Sequence, residues 1–427
     1  MQLVARAYPE TQHLPASLGE IQQAIAVVVG RAYGYFNETI IDSAFQPIYS
    51  VPHRRIVGHE GLLRASTAQE CRPISPLDLL ASAANESQSV FLDRLCRTIH
   101  MHNYQVEKTE NLWLFLNVSA QVINRRRDHE PFFADLLAQY QVAPRQVVIE
   151  IVEGVIPDFA LLTEAVQFYR EAGCVVAIDD FGAEASDLER IWRVSPDIVK
   201  LDRKIIAAAE FNHKARRVLK ATVALIHEAG SLALLEGVET ATQAAIALDS
   251  NADLLQGYYF ARPDPIPLLE GDGGLGELAA NHPPALRDGM QHQSLQPYVL
   301  EFKCALLRLA SGQGLKAACN ALIALGRIDN CYMTDGDGRQ IGPTVRPPNA
   351  GQITRFMPLA DVRGANWAHK PYHYRAMSQP GELQISHPYL SITSSRLCIT
   401  LSATFQYGGQ TRVLCCDVEW LEEGVRL

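Results

Sequence analysis

Between Phe45 and Arg262, short and nearly continuous apolar runs recur along the chain, separated by amphipathic stretches. The clearest are Leu112–Leu116, Val147–Ile151, Val175–Ile178, Ile198–Leu201 and Leu232–Leu235. A short run with no polar alternation is apolar on both faces, the condition of a parallel strand buried between helices. The intervening stretches have helical period. Phe159–Ala172 and Ala215–Ala229 are the best examples, and each stops at a glycine, Gly173 and Gly230, the residue that most easily closes a helix. Phe45–Tyr49, Arg55–His59 and Leu254–Phe260 bring the candidate strands to eight. Eight strands alternating with helices predict a (β/α)8-type barrel in an α/β chain.

Residues 1–40 predict a short tail and then a helix from about Ser17, ahead of a barrel at 41–265. Residues 266–297 break the rhythm with Gly271, Gly273, Gly274, Gly276 and Pro283–Pro284, and predict a linker. Beyond it, Tyr298–Leu309 and Leu315–Leu325 are helical in period, and Asn330–Thr334 leads into the turn Asp335–Gly338. Leu397–Gln406 and Gln410–Trp420 flank Gly408–Gly409 as a hairpin. Residues 298–427 therefore predict an α+β domain with an antiparallel sheet. A length of 427 residues accommodates both domains. The net charge of −9 argues against duplex nucleic acid or an anionic membrane as the main partner. Nine cysteines without a C-x-x-C pair read as reduced thiols. The longest early apolar stretch, Ala24–Val29, is too short for a bilayer, and the order of a secretory signal is missing, so a cytoplasmic protein is expected.

Polar residues fall at the C-terminal ends of the expected barrel strands. Glu60 follows Ile56–His59, Asn117 follows Leu112–Leu116, Glu150 and Glu153 sit at or past Val147–Ile149, and Asp179 and Asp180 follow Val175–Ile178. Lys200 and Asp202 close the Ile198 strand, Glu236 and Glu239 follow Leu232–Leu235, and Gln256 precedes Gly257 in the last. In a barrel these ends share one face, where catalytic groups gather. Glu60, Glu150, Asp179, Asp180 and Glu236 converging there would repel one another and raise their carboxyl pKa values. Divalent cations relieve that conflict, and oxygen ligands with one amide favour Mg2+ or Mn2+ over zinc. Two such ions beside an adjacent aspartate pair point to two-metal hydrolysis of a phosphodiester. The alternative for each acid is a helix cap or a surface charge, since Asp and Glu favour helix N-termini.

These residues resemble an EAL-type cyclic di-GMP phosphodiesterase domain. Phe45-Gln46-Pro47-Ile48 is similar to its opening strand, and His59-Glu60-Gly61-Leu62-Leu63-Arg64 to the motif that names the family, with Gly61 where Ala is usual. Leu116-Asn117-Val118-Ser119, Glu150-Ile151-Val152-Glu153, Asp179-Asp180-Phe181-Gly182, Lys200-Leu201-Asp202, Glu236-Gly237-Val238-Glu239-Thr240 and Gln256-Gly257-Tyr258-Tyr259-Phe260-Ala261-Arg262-Pro263 follow in order. The resemblance implies a modified TIM-like barrel whose first strand runs antiparallel to the rest. It implies that Glu60, Asn117, Glu150 and Asp179 hold one metal, that Asp179 bridges to a second with Asp180 beside it, and that Glu236 supports the site and its water. Lys200 would orient or activate that water. Arg64, Gln46, Asp202, Gln256 and Glu239 would bind the dinucleotide, Glu153 would brace the following loop, and the product would be linear pGpG.

The chain departs from the family after Asp179-Asp180-Phe181-Gly182. Glu184 stands where a Gly is usual and Ala185 where an aromatic is usual, within Ala183–Asp187. One reading is a catalytically weak or silent receptor for the dinucleotide. The other is a structural variant, since Ser186-x-x-Glu189 forms a capping box for the next helix. Residues 298–427 resemble a PAS- or Cache-like sensory domain, which implies a small ligand or dimerisation. Asp361, Arg363, Trp367, Tyr372 and Tyr389 are its candidate pocket residues, the alternative being that its aromatics fill its own core. The Asp335–Gly338 turn is not an EF-hand, because Arg339 occupies a ligand position. His100 and His102 fall in a helical stretch and are expected to be exposed. A homodimer is expected.

Overall fold

The computed structural model describes residues 17–106, 111–124, 129–152, 159–182, 188–281, 295–348, 356–359, 361–362 and 364–420. The chain divides into two compact units. One comprises Met1–Tyr49, Ile56–Lys204 and Gln256–Gly271, the other Ser50–Arg55, Ile205–Leu255 and Asp272–Leu427. Among the described residues no helix is long and apolar enough to cross a membrane.

The first sheet contains β1 (Ile25–Val28), β2 (Arg31–Phe36), β3 (Thr39–Ser50), β4 (Arg55–Thr67), β5 (Pro73–Ile74), β6 (Trp113–Val118), β7 (Val147–Val152), β8 (Val175–Phe181), β9 (Ile198–Leu201), β10 (Leu232–Leu235) and β11 (Leu254–Leu255). Their order is β1-β2-β3-β11-β10-β9-β8-β7-β6-β4-β5, and a further β3–β4 pairing closes eight of them into a barrel. The pairs β4–β6, β6–β7, β7–β8 and β8–β9 are parallel, as is β10–β11. Residues 51–54 join β3 to β4. So short a link permits only antiparallel pairing, and β3 is the reversed strand that the resemblance implies. The parallel strands are buried on both faces, as their continuous apolar runs require: Val147, Val148, Ile149, Val175, Val176 and Ala177 are all fully buried. The last expected strand shortens to Leu254–Leu255. Beyond it the Gly257 carbonyl accepts the N–H groups of Phe260 and Ala261 and folds that segment into a turn. The helices Phe159–Glu171 and His213–Glu228 stop just before Gly173 (φ 93°) and Gly230 (φ 78°).

The helix expected from Ser17 begins there, with Ser17 and Glu20 in a capping box, but ends at Gln23. The apolar stretch after it forms the β1–β2 hairpin instead. Val29 and Gly30 both adopt positive φ, the conformation a two-residue turn between twisted strands demands. The burial of β2 alternates, and a Cβ at Gly34 would lie 2.4 Å from Ile99 Cδ1 on the helix Glu86–Val106. The amide of Asn103 on the same helix both accepts from the Ala32 N–H (2.7 Å) and donates to the Ala32 carbonyl (3.0 Å), satisfying buried backbone.

The second sheet holds β12 (Ile328–Asp335), β13 (Gln340–Val345), β14 (Gln384–Ile385), β15 (Tyr389–Leu390), β16 (Leu397–Tyr407) and β17 (Gln410–Glu419). It is antiparallel, in the order β13-β12-β17-β16-β14 with β15 on β16. Gly408 and Gly409, both at positive φ, form the expected turn. The helices Gln296–Ala310 and Leu315–Ala324 cover it through Phe302, Leu309, Leu322, Ile399 and Leu401. All nine cysteines are free.

Asp417 lies inside this sheet and accepts hydrogen bonds from Thr400 Oγ1 (2.9 Å), Tyr389 OH (3.2 Å) and Asn330 Nδ2 (3.3 Å). Burial, with Asp329 beside it, raises its carboxyl from 3.8 to about 7. The unfolded chain releases this proton near 3.8, whereas the folded sheet keeps it to about 7. Its contribution to stability is therefore complete below the unfolded value and is lost as pH rises through the folded one, by up to about 4 kcal/mol. Thermal melting across this range is expected to show a midpoint that falls with rising pH, and Asp417→Asn is expected to flatten that slope. An Asp417→Asn variant with the wild-type slope contradicts this assignment.

Candidate active site

The site begins with an irregularity in β8. Ile178 is paired with Val199 and Phe181 with Leu201, so β8 carries one residue more than β9 between these pairs. Asp180 adopts the left-handed conformation at φ 58°, and its N–H donates to Asp179 Oδ1 at 2.9 Å. Aspartate tolerates this conformation better than most residues, and such a bulge re-aims side chains at a strand end. Burial, and then the charges of Asp179 and Asp202, raise the Asp180 carboxyl, with Lys200 opposing.

Lys200 on β9 is 1% exposed, and its Nζ is ion-paired with Glu150, lies 3.1 Å from Asp179 Oδ1 and lies 3.8 Å from Glu60 Oε1. Parallel register sets Asn117 of β6 opposite Glu150 of β7. Asn117 Nδ2 donates to Glu60 Oε1 at 3.3 Å, and Gln256 Nε2 donates to Glu60 Oε2 at 2.8 Å. Gln256 Nε2 also reaches Gln46 Oε1 (3.4 Å), and Gln46 Nε2 donates to the Ala261 carbonyl (3.2 Å). Glu60 and Glu150 bring carboxylate oxygens within 4.8 Å of one another. Three carboxylates with mostly buried side chains around one ammonium leave an excess of negative charge out of water, which is costly unless further cations offset it. The donors are all oxygen, and that chemistry fits a hard divalent cation.

The other expected site residues lie apart from these hydrogen bonds. Arg64, on β4, is exposed and donates to the Leu63 carbonyl. Asp202 accepts the Lys204 N–H at 2.8 Å and so caps the helix Arg203–Phe211. Glu239 is exposed, and its N–H donates to Gln243 Oε1. Glu236 follows β10 in the second unit and is half-buried. Glu153 and the segment 183–187 lie outside the described residues.

The model of the EAL domain family matches residues 37–263. The chain belongs to the EAL domain family. Over 223 residues it is 28% identical to an uncharacterized EAL-domain containing protein, YkuI, of Bacillus subtilis, in a match covering 51% of this chain and 54% of that one. It is 27% identical over 267 residues to the cyclic di-GMP phosphodiesterase RocR of Pseudomonas aeruginosa, covering 62% of this chain and 67% of that one. Against a signaling protein of B. subtilis, YkoW, the match spans only 28% of the relative. Among solved structures, that of B. subtilis YkuI in complex with c-di-GMP and calcium is similar at 20% identity and a TM-score of 0.49, covering 89% of this chain and 96% of that one.

The EAL domain here carries Gly61 in its naming motif, and the structure supplies the neighbour that accompanies it. A Cβ at position 61 would stand 3.1 Å from His100 Cγ, so a methyl group there forces the imidazole to give by a few tenths of an ångström. His100 is buried, contrary to the expectation of exposure, because its Nδ1 meets Ser43 Oγ at 2.8 Å between β3 and the long helix. Burial lowers it to about 3, with Arg64 and Arg31 adding to the effect. His102 is half-buried and reaches the Gly30 carbonyl at 3.0 Å. Two further residues position the site without standing out in the sequence. His59 is buried, spans Tyr104 OH (3.0 Å) and the Leu268 carbonyl (2.8 Å), and precedes Glu60 directly. Asp93, ion-paired with Arg97 one turn later, accepts the Ser119 N–H at 2.8 Å just beyond Asn117. An Asp-x-x-x-Arg pair on an otherwise apolar helix is the available signal for it.

In the second unit, Trp367, Tyr372 and Tyr389 line a cavity of about 20 Å3 together with Asn330, Tyr332 and Asp417. Their polar ends bond within the domain: Tyr332 OH to Tyr372 OH (2.8 Å), Trp367 Nε1 to Gln340 Oε1 (3.0 Å) and Tyr389 OH to Thr400 Oγ1 (2.6 Å). That space is of the order needed for a single water. Asp361 lies 3.8 Å from the Arg55 guanidinium, and Arg363 is outside the described residues.

Proposed function

We propose that this chain hydrolyses cyclic di-GMP to linear pGpG with two divalent cations, Mg2+ or Mn2+, at the carboxylate end of the barrel. The observation that carries the reading is the convergence of Glu60, Glu150 and Asp179 on buried Lys200. Glu60, Asn117, Glu150 and Asp179 would hold one cation, and Asp179 and Asp180 the second, with Glu236 completing the set. Bound cations would make a water acidic enough to deprotonate and would neutralise phosphate charge. Lys200 orients that water with its ammonium protons. Gln256 and Gln46 present amides to the dinucleotide, Arg64 offers a fork suited to phosphate, and Asp202 and Glu239 lie at neighbouring strand ends. Glu153 braces the loop after β7, residues 298–427 regulate turnover, and the working unit is a homodimer. The naming of a relative as a cyclic di-GMP phosphodiesterase supports the substrate.

The test is incubation of the purified chain with cyclic di-GMP and either cation, with pGpG followed by chromatography. Turnover selective for cyclic di-GMP over a generic phosphodiester is expected. Ala183–Asp187 motivates a second reading, a receptor that binds without turnover. Calorimetric binding with no pGpG under either cation decides for the receptor and against hydrolysis.

A further inference from the structure

The second unit contains a cavity of about 260 Å3 that is separate from the small aromatic one. Its wall carries the permanent cations Lys220, Lys370 and Arg375 and the histidines His227, His369 and His387, against the carboxylates Glu228 and Asp249. Both carboxylates belong to exposed residues, whereas Lys370 and Arg375 are buried, at 7% and 3% exposure. The positive charge is therefore deep and the negative charge is at the rim. Asp253, behind the wall, accepts from Lys370 Nζ (3.0 Å) and the Ala233 N–H (3.1 Å), and its carboxylate meets His227 Nε2 at 2.7 Å. Burial alone would raise this carboxyl, but Lys370 and His227 hold it well below the usual carboxylate range. Asp253 thus fixes two of the cavity's basic groups in place and leaves the others to face the opening.

Tyr372 and Tyr389 give the same cavity an aromatic wall, their rings stacked at 6.1 Å. A concave site of this size, with apolar walls and a few convergent charges, suits a small molecule. We propose that it binds a small organic or inorganic anion, a phosphate or a carboxylate, and that this is the ligand site of the C-terminal half of the chain. The cations converge in one place, and charge-assisted hydrogen bonds from Arg and Lys are the strong means of holding such a group. The site is independent of the barrel's hydrolytic role, because none of its residues is a proposed metal ligand.

The test uses the full chain in EDTA, so that no divalent cation in the barrel captures the probe. Inorganic phosphate and succinate are titrated separately at constant ionic strength against chloride. Saturable calorimetric binding of one of them is expected, with a rise in melting midpoint of about 3–5 °C at tenfold excess over its Kd. Phosphate alone assigns a phosphate site and succinate alone a carboxylate site. The rim variants Lys220→Gln and His387→Gln, which leave the buried ion pairs intact, are each expected to weaken binding by roughly threefold to tenfold. No saturable binding of either probe in the millimolar range overturns the proposal, and so does binding that both variants leave unchanged.

Discussion

Glu60→Gln is expected to lower cyclic di-GMP turnover by about 10^3-fold, equivalent to about 4 kcal/mol of transition-state stabilisation. Glu60 carries the most connections in the cluster. One oxygen accepts from Asn117 and lies 3.8 Å from Lys200, and the other accepts from Gln256. Glutamine preserves the shape, but it removes the charge and replaces one acceptor oxygen with an N–H donor facing the amides of Asn117 or Gln256. A hard cation loses a carboxylate ligand, so its affinity falls together with turnover. Calorimetry with Mn2+ and a single-turnover assay on the same preparation read the two effects separately. Glu239→Gln, at an exposed position away from the cluster, is the comparison, and a smaller loss is expected there. Wild-type turnover and wild-type Mn2+ affinity in Glu60→Gln would remove this residue from the site.

The barrel is legible in the sequence because a buried parallel strand has no polar face to confuse its period. Leu232–Leu235 and Ile198–Leu201 coincide with β10 and β9 to the residue. Legibility failed at the N-terminus for the converse reason. Helix and strand compete for a short apolar stretch, and what decides for the hairpin is tertiary: Gly34 must lie against Ile99, and Asn103 must satisfy Ala32. Neither partner is close in sequence. The final strand was overextended because its aromatic residues read as β, whereas the hydrogen bonds to the Gly257 carbonyl make a turn.

The site shows a similar division. Its residue types and order along the strand ends were readable, since an acid or amide closing an apolar run has no packing role. The β8 bulge was not, because it depends on how many residues β9 offers opposite Asp179 and Asp180. The helix-cap alternative holds for Asp202, which accepts the Lys204 N–H. His100 was misjudged because a histidine on a helix shows its exposure only through its partners, here Ser43 and the space left by Gly61.

Lys200→Met carries the second large effect, and it separates structure from chemistry. In metal-free protein the ammonium is the cation that Glu150, Asp179 and Glu60 share, and the Lys200 side chain is 1% exposed. Methionine fills similar volume, so packing changes little, while three carboxylates lose their counter-charge. Removing one partner of a buried ion pair costs about 3–5 kcal/mol, and metal-free Lys200→Met is expected to melt correspondingly lower. Divalent cations supply the missing charge, so Mn2+ is expected to raise the melting midpoint of the variant more than that of the wild type. Turnover is expected to stay down by about 10^2- to 10^4-fold at saturating Mn2+, because no proton donor remains to orient the attacking water. Equal metal-free stability in variant and wild type would contradict the shared ion pair. Full recovery of turnover with Mn2+ would leave Lys200 a purely structural counter-charge and take it out of the chemistry.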